Sequence, residues 1–229
     1  MPMPDARLQR TLLLIFAIGA ALAVPFILWP EIDMRISSNF YLPKQGFYME
    51  FRPHYRAIYH LVTRLTQAVY VILIALILVK LLGRVLHRDL LKKISTRAVI
   101  YLSLVMAAGP WIGVHYVLKD GFERPRPREI VEFGGAKDFV PMLYVGKQKG
   151  SSFVSGHAAM GFYLAAFALL LQGKQRKVMY AEGLAAGAFI GLIRVIQGGH
   201  FASDVLFSGI FMLLVIHVCY AIVYRRQRA

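Results

Sequence analysis

The sequence predicts an all-α polytopic membrane bundle of about six transmembrane helices, with both termini on the cytoplasmic side. Three observations predict it. Of the 229 residues, 58% are hydrophobic and only 17% are charged, whereas a soluble domain carries about 25% charged residues. Apolar runs near the roughly 20 residues needed to cross a bilayer recur along the whole chain. About half of the 27 Lys and Arg residues fall in short stretches between or beyond those runs, as topology-setting charges do.

The runs are justified in order. Thr11 to Trp29 is the first, TLLLIFAIGAALAVPFILW. Arg10, the apolar stretch and the small residues Ala21-Leu22-Ala23 also resemble a cleavable signal peptide, but the run continues to Trp29, which favours a retained helix. The second lies within Ala57 to Leu82 and the third spans Ala98 to Leu118, with a kink expected at Gly109-Pro110. The fourth runs from about Val154 to Leu171, the fifth from about Met179 to Ile193 and the sixth from about Phe201 to Tyr224. The whole of 1–229 reads as one membrane domain, with no room for a separate soluble one. Gly183, Gly187 and Gly191, spaced by four, predict a close helix contact, with Ala158, Ala159 and Gly161 as the facing surface.

Arg7 and Arg10, Arg84 to Arg97, Lys174 to Lys177, and Arg225, Arg226 and Arg228 mark one face as cytoplasmic. Two longer loops of mixed charge, Pro30 to Arg56 and Lys119 to Phe153, mark the other. The aromatics Phe40, Tyr41, Phe47, Tyr48 and Phe51 predict a short interfacial element lying on the bilayer. The net charge of +15 is not concentrated on a soluble domain, which argues against nucleic-acid binding. A single Cys, Cys219, excludes an intramolecular disulfide and a cysteine-based metal site. His217 and Cys219 read as packing residues.

Three polar clusters share the face opposite the basic loops. They are KDGFERPRP after the third helix, SFVSGH at the start of the fourth, and RVIQGGHFASD between the fifth and sixth. Lys119, Arg126 and Arg194 supply fixed positive charge, and arginine suits bidentate contacts to phosphate. Ser155 and Gly156 open a helix, where backbone N–H groups favour an anion. The Ser hydroxyl there can cap the helix or donate to the anion. His200 and Asp204, four apart, are expected on one helix face, so that the carboxylate fixes the imidazole tautomer and His200 can attack phosphorus. His157 is the natural general acid. Arg124 and Arg128 read as headgroup or solvent contacts, with an extension of the phosphate site as the alternative. His115, His60, Arg64 and Gln67 read as interfacial residues that would otherwise touch the substrate headgroup.

These elements resemble the type 2 phosphatidic acid phosphatase family, membrane relatives of the vanadium haloperoxidases. The family pattern is Lys, six residues, Arg-Pro; then Pro-Ser-Gly-His; then Ser-Arg, five residues, His, three residues, Asp. Lys119 through Arg126-Pro127 matches the first element. Ser155-Gly156-His157 matches the second, with Val154 in the Pro position. Arg194, His200 and Asp204 match the third, with Ile193 in the Ser position. The resemblance rests on residues 119–204. It implies a phosphohistidine on His200 supported by Asp204, with His157 protonating the leaving group and then activating water. It also implies Lys119, Arg126, Ser155, Gly156 and Arg194 around the phosphoryl oxygens, and no metal or other cofactor. The residues agree on the last point, since three fixed cations and the lack of a carboxylate cluster disfavour a divalent ion.

The expected activity is therefore metal-independent hydrolysis of a lipid phosphate or diphosphate at the periplasmic face of a bacterial inner membrane. Membrane lipids are the expected surroundings, and no obligate protein partner is evident. Candidate substrates are lipid A 1-phosphate, undecaprenyl diphosphate, phosphatidylglycerol phosphate and phosphatidic acid. The first two are favoured by an outward-facing site, with residues 128–150 shaping headgroup choice. Phosphotransfer to a second lipid is the alternative within the same chemistry. A transporter or channel is the alternative of another class, disfavoured because the charges cluster at one face. Haloperoxidase chemistry is expected of a soluble protein.

Overall fold

The computed structural model describes residues 6–49, 53–88 and 91–224. Phe51, Arg225, Arg226 and Arg228 lie outside the described residues, and so do the side chains of Arg7 and Arg56. Helix α1 (Ala6–Leu28) is followed by a short amphipathic helix, α2 (Glu31–Ser38). A two-stranded hairpin follows, β1 (Tyr41–Leu42) and β2 (Gly46–Phe47), pairing Tyr41 with Phe47. Then come α3 (Pro53–Val85) and α4 (Thr96–Met106). Helix α4 runs on as a wide π-type helix, Ala107–Lys119, and ends in the turn α5 (Asp120–Phe122). Two short helices, α6 (Gly156–Tyr163) and α7 (Ala165–Ala168), lead to α8 (Gly173–Ile196) and α9 (Ala202–Tyr224).

Among the described residues, five helical segments are long and apolar enough to cross a membrane: Leu8–Leu28, Tyr59–Val85, Thr96–Glu129, Gly173–Ile196 and Ala202–Tyr224. The fourth expected run differs. It is broken at Leu164 into α6 and α7, which are buried among α4, α8 and α9. Residues 156–168 rise only about 20 Å at 1.5 Å each, short of a bilayer core. The outer helices show the opposite pattern. Leu13, Phe16, Leu22 on α1 and Val71, Ile72, Leu78 on α3 point outward, as apolar side chains do where the surrounding solvent is lipid.

The kink expected at Gly109-Pro110 appears as the widening of the third span. Pro110 lacks an N–H and its ring obstructs the preceding turn, so the regular ladder cannot continue there. Gly109 and Gly113 let this stretch press on α9. A Cβ on Gly113 would stand 2.3 Å from the Phe211 ring.

The expected glycine contact is present, distributed over three neighbours. Gly187 meets Gly161 and Phe162 on α6, Gly183 meets Ala165 on α7, and Gly191 meets Val205 on α9. In the aromatic hairpin Leu42 and Tyr48 remain exposed, while the inner residues pack on the protein: Phe47 is buried against Phe133 and Tyr41. With Ile130 and Phe201 these rings form a second, smaller core over the loop that joins α8 to α9. His217 and Cys219 pack as expected, His217 bonding the Leu213 carbonyl at 2.8 Å and Cys219 lying in the main core.

Candidate active site

The spacing of Arg194 and His200 comes from how α8 ends. Gln197 caps the helix and Gly198 follows in the left-handed region, at φ 61°. The Gly198 N–H donates to the Val195 carbonyl and the Gly199 N–H to the Arg194 carbonyl, both at 2.9 Å. This is the Schellman closure, which needs a residue free to take positive φ. It leaves Arg194 on the last turn and His200 just past the stop. Gly199 packs on the Arg194 guanidinium so closely that a Cβ would stand 2.2 Å from Nη2.

Helix α9 begins at Ala202, so His200 and Asp204 do not share a helix face. Asp204 sits in the first turn and reaches back, its Oδ2 accepting from the Phe201 N–H at 2.8 Å. That is the acidic half of a capping box. The same carboxylate oxygen lies 3.8 Å from His200 Nδ1 and accepts from Ser152 Oγ at 2.5 Å. The nearer partner of Nδ1 is the Ser152 carbonyl, at 2.6 Å. A carbonyl only accepts, so Nδ1 carries the proton and Nε2 keeps its lone pair. The expected tautomer is thus held by a backbone carbonyl, with Asp204 one shell further back.

Arg124 is a second correction. It does not meet solvent or headgroups but is 1% exposed, behind Asp204. Its Nη1 donates to Asp204 at 2.6 Å and to Ser203 at 2.8 Å, and its Nη2 donates to Asp33 at 2.9 Å. Its Nε donates to the Val140 carbonyl at 2.8 Å, and Phe201 stacks on the guanidinium at 4.3 Å. Asp33, from α2, also accepts from the Ser203 N–H and hydroxyl. A chain Asp33–Arg124–Asp204 therefore ties an amphipathic helix near the N-terminus to the His200 loop. No short-range signal could reveal it, because the partners lie 80 and 91 residues apart.

In front of His200 is a cavity of about 590 Å³ lined by Lys119, Arg126, Gly156, His157, Arg194 and His200. Arg126 donates to Ser151 Oγ at 2.9 Å, and Arg194 donates to Gln197 and lies over the Tyr59 ring at 4.9 Å. The Nε atoms of both guanidiniums are buried without a hydrogen-bond partner. Buried donors left open in this way point to an anionic occupant. His157 Nε2 lies 3.3 Å from Thr63 Oγ1, and its ring stacks on Tyr59 at 4.5 Å. Tyr59 and Thr63, contributed by α3, were not legible as site residues. Ser155 is the N-cap of α6, its hydroxyl accepting from the Ala158 N–H, and it stands outside the cavity lining. His115 and Gln67 line the cavity, whereas His60, Arg64 and Arg128 are not among its walls.

Burial drives the His200 pKa down from 6.5 to about 4, helped by Arg194 and Lys119 and opposed by Asp204. His157 is lowered to about 3 by burial and then by Arg194, His200, Lys119 and Arg126. Both rings are therefore neutral near pH 7. Among the described residues no group of three or more His, Cys, Asp or Glu is arranged to hold a metal ion.

Residues 98–228 match the PAP2 superfamily. The chain is 35% identical over 205 residues to a lipid A 4'-phosphatase of Francisella tularensis subsp. novicida (strain U112), covering 88% of this chain and 90% of that one. It is 36% identical over 115 residues to a lipid A 1-phosphatase of Rhizobium etli, covering 48% and 44%. Its fold is similar to the crystal structure of a transmembrane PAP2 type phosphatidylglycerolphosphate phosphatase from Bacillus subtilis. The TM-score is 0.56 at 22% identity, over 95% of this chain and 96% of that one.

Proposed function

This chain belongs to the PAP2 superfamily, and on that footing we propose that it is a lipid phosphatase that removes a phosphate from a lipid A-type glycolipid through a phosphohistidine on His200. The observation that carries the reading is the cavity in which two neutral histidines face Lys119, Arg126 and Arg194, the two guanidiniums each keeping a buried Nε without a partner. The substrate class follows the relative that this chain matches over most of its length. It moves the expected cleavage from the 1-phosphate toward the 4'-phosphate.

Lys119, Arg126 and Arg194 hold the phosphoryl oxygens, and the developing equatorial charge strengthens these contacts in the transition state. His200 Nε2 attacks phosphorus in line, while Nδ1–H stays on the Ser152 carbonyl. As Nε2 bonds to phosphorus the ring becomes cationic, and the Asp204 carboxylate, 3.8 Å from Nδ1, stabilises that charge. His157 gives a proton to the leaving sugar oxygen. It then takes a proton from the water that attacks the phosphohistidine, releasing inorganic phosphate and restoring His200.

His157 is neutral in the empty site, so it needs a proton before it can give one. An incoming phosphate monoanion brings one, and its charge offsets the cations that depress His157. The cavity continues past Tyr70, Ile74, Pro110 and Trp111. The lipid chains stay among the helices while the phosphate reaches the histidines from the side. The face opposite the basic loops is the periplasmic one in this reading.

The test is phosphate release by detergent-purified protein from a panel of lipid phosphates, with EDTA present and His200→Ala as control. Release from lipid A that is absent in the variant supports the proposal. Full activity in His200→Ala or Asp204→Ala would sink the mechanism. An acid-stable lack of label on the wild-type protein after quenching with labelled lipid is no objection, because phosphohistidine is acid-labile. The quench is therefore alkaline, and label must be absent from His200→Ala.

A further inference from the structure

One wall of the cavity is a polar stripe on a membrane-spanning helix. Tyr59, Thr63, Thr66, Gln67 and Tyr70 of α3 all line it. Their spacing, with steps of three and four, keeps them on one face. Apart from His60 and Arg64, the rest of α3 at this depth is apolar and outward-facing, with Leu65, Val71 and Ile72 exposed. Polar groups on such a helix are costly unless something satisfies them.

The two threonines satisfy themselves. Thr63 Oγ1 donates to the Tyr59 carbonyl at 2.9 Å and Thr66 Oγ1 to the Val62 carbonyl at 2.8 Å. Gln67 and Tyr70 do not. Among the described residues no hydrogen bond engages the Gln67 amide, which is exposed, or the Tyr70 hydroxyl, whose residue is half-buried. Thr63 touches His157 at 3.3 Å, which places the reacting phosphate. Gln67 lies one turn beyond, about 6 Å along the helix, and Tyr70 about 10 Å. Both face the cavity between the phosphate site and its apolar end at Ile74 and Trp111.

We infer that Gln67 and Tyr70 form a second binding subsite, which recognises the amide or ester linkage of an acyl chain carried next to the phosphate. A primary amide both donates and accepts, and a phenol donates. Together they suit an acyl carbonyl with a neighbouring N–H or hydroxyl. An acylated amino-sugar phosphate presents such groups within one ring of its phosphate and then turns apolar, in the same order as the cavity wall. A prenyl phosphate is apolar from its first carbons and would leave both side chains unpaired. The subsite rests on the proposed lipid phosphatase activity and assigns its selectivity.

The experiment compares diacyl glucosamine 4-phosphate with a prenyl monophosphate, in wild type and in Gln67→Leu/Tyr70→Phe. The substitutions are more apolar on a lipid-facing span, so insertion is retained. The ratio of kcat/KM for the sugar over the prenyl substrate is expected to fall about tenfold or more, mainly through KM, because the contacts are made equally before and during reaction. An unchanged ratio, or a wild type that prefers the prenyl lipid, overturns the subsite while leaving the phosphatase standing. The same pair of lipids is titrated calorimetrically against His200→Ala, with and without the two substitutions. If no lipid is hydrolysed, the proposed activity falls, and this binding ratio alone decides the subsite: a tenfold loss supports it and no loss overturns it.

Discussion

Replacing Arg124 by methionine removes the centre of the buried charge chain while keeping an unbranched side chain in its place. The guanidinium holds Asp204 at 2.6 Å and Asp33 at 2.9 Å, and all three side chains are at most 1% exposed. Without it, two carboxylates remain buried with no cation between them. Breaking a buried pair from one side costs roughly 3–5 kcal/mol, a large part of a typical total of about 5–15 kcal/mol. Asp33→Asn is the informative contrast. Burial already raises the Asp33 carboxyl above 3.8, with the Asp204 charge adding to the effect and Arg124 opposing it. The neutral isostere should therefore cost only about 1 kcal/mol, and Arg124→Met/Asp33→Asn should recover part of the loss of Arg124→Met. Denaturation in detergent, followed by the fluorescence of Trp29 and Trp111, reads these differences, and phosphate release is measured alongside. A stable Arg124→Met protein with kcat within twofold of wild type would refute the reasoning, because Asp204 would then need no anchor.

Three further outcomes are expected. Gly199→Ala drives a Cβ into the Arg194 guanidinium and should lower kcat/KM about 100-fold, the typical cost of misplacing a charge-stabilising group, with little change in melting; unaltered kinetics would remove Arg194 from the phosphate site. His157→Ala should slow release from a lipid phosphate about 10²–10⁴-fold but much less from an aryl phosphate whose leaving group needs no proton; an equal loss on both would deny it the role of general acid. With His200 near 4 and His157 near 3, kcat/KM should rise as pH falls from 7 toward 5, where the phosphate monoanion brings the missing proton, and fall only as His200 protonates near pH 4. A pH–rate profile with an acid limb centred at 6.5 contradicts the burial argument. The linkage has the same sign for stability: the folded pKa of His200 is depressed, so its contribution is full above 6.5 and lost as pH falls through about 4.

The membrane spans were legible because apolar length is a property of consecutive residues. So were Lys119, Arg126, His157, Arg194 and His200, which the structure brings around one cavity. Their short spacings are the visible trace of helix ends: a Schellman stop after Arg194, a cap before α6, a proline turn after Arg126. The break of the fourth run at Leu164 was not legible, because a run of small apolar residues reads alike whether its helix is continuous or interrupted. Ala158, Ala159, Ala165 and Ala166 are fully buried, and only their neighbours reveal that.

By itself, then, the sequence determined the class of fold and singled out the cationic and imidazole side chains that the structure gathers around one cavity. Those features depend on local pattern: hydropathy over a helix length, and cap and turn residues within a few positions of one another. The tertiary structure alone decided what stands behind and beside them. It set the Ser152 carbonyl against His200, Arg124 between Asp204 and Asp33, and the Gln67–Tyr70 wall along the cavity. These contacts join residues tens of positions apart, and burial fixes their strength. An arginine that reads as a headgroup contact becomes a structural charge once low-dielectric packing leaves it no other partners.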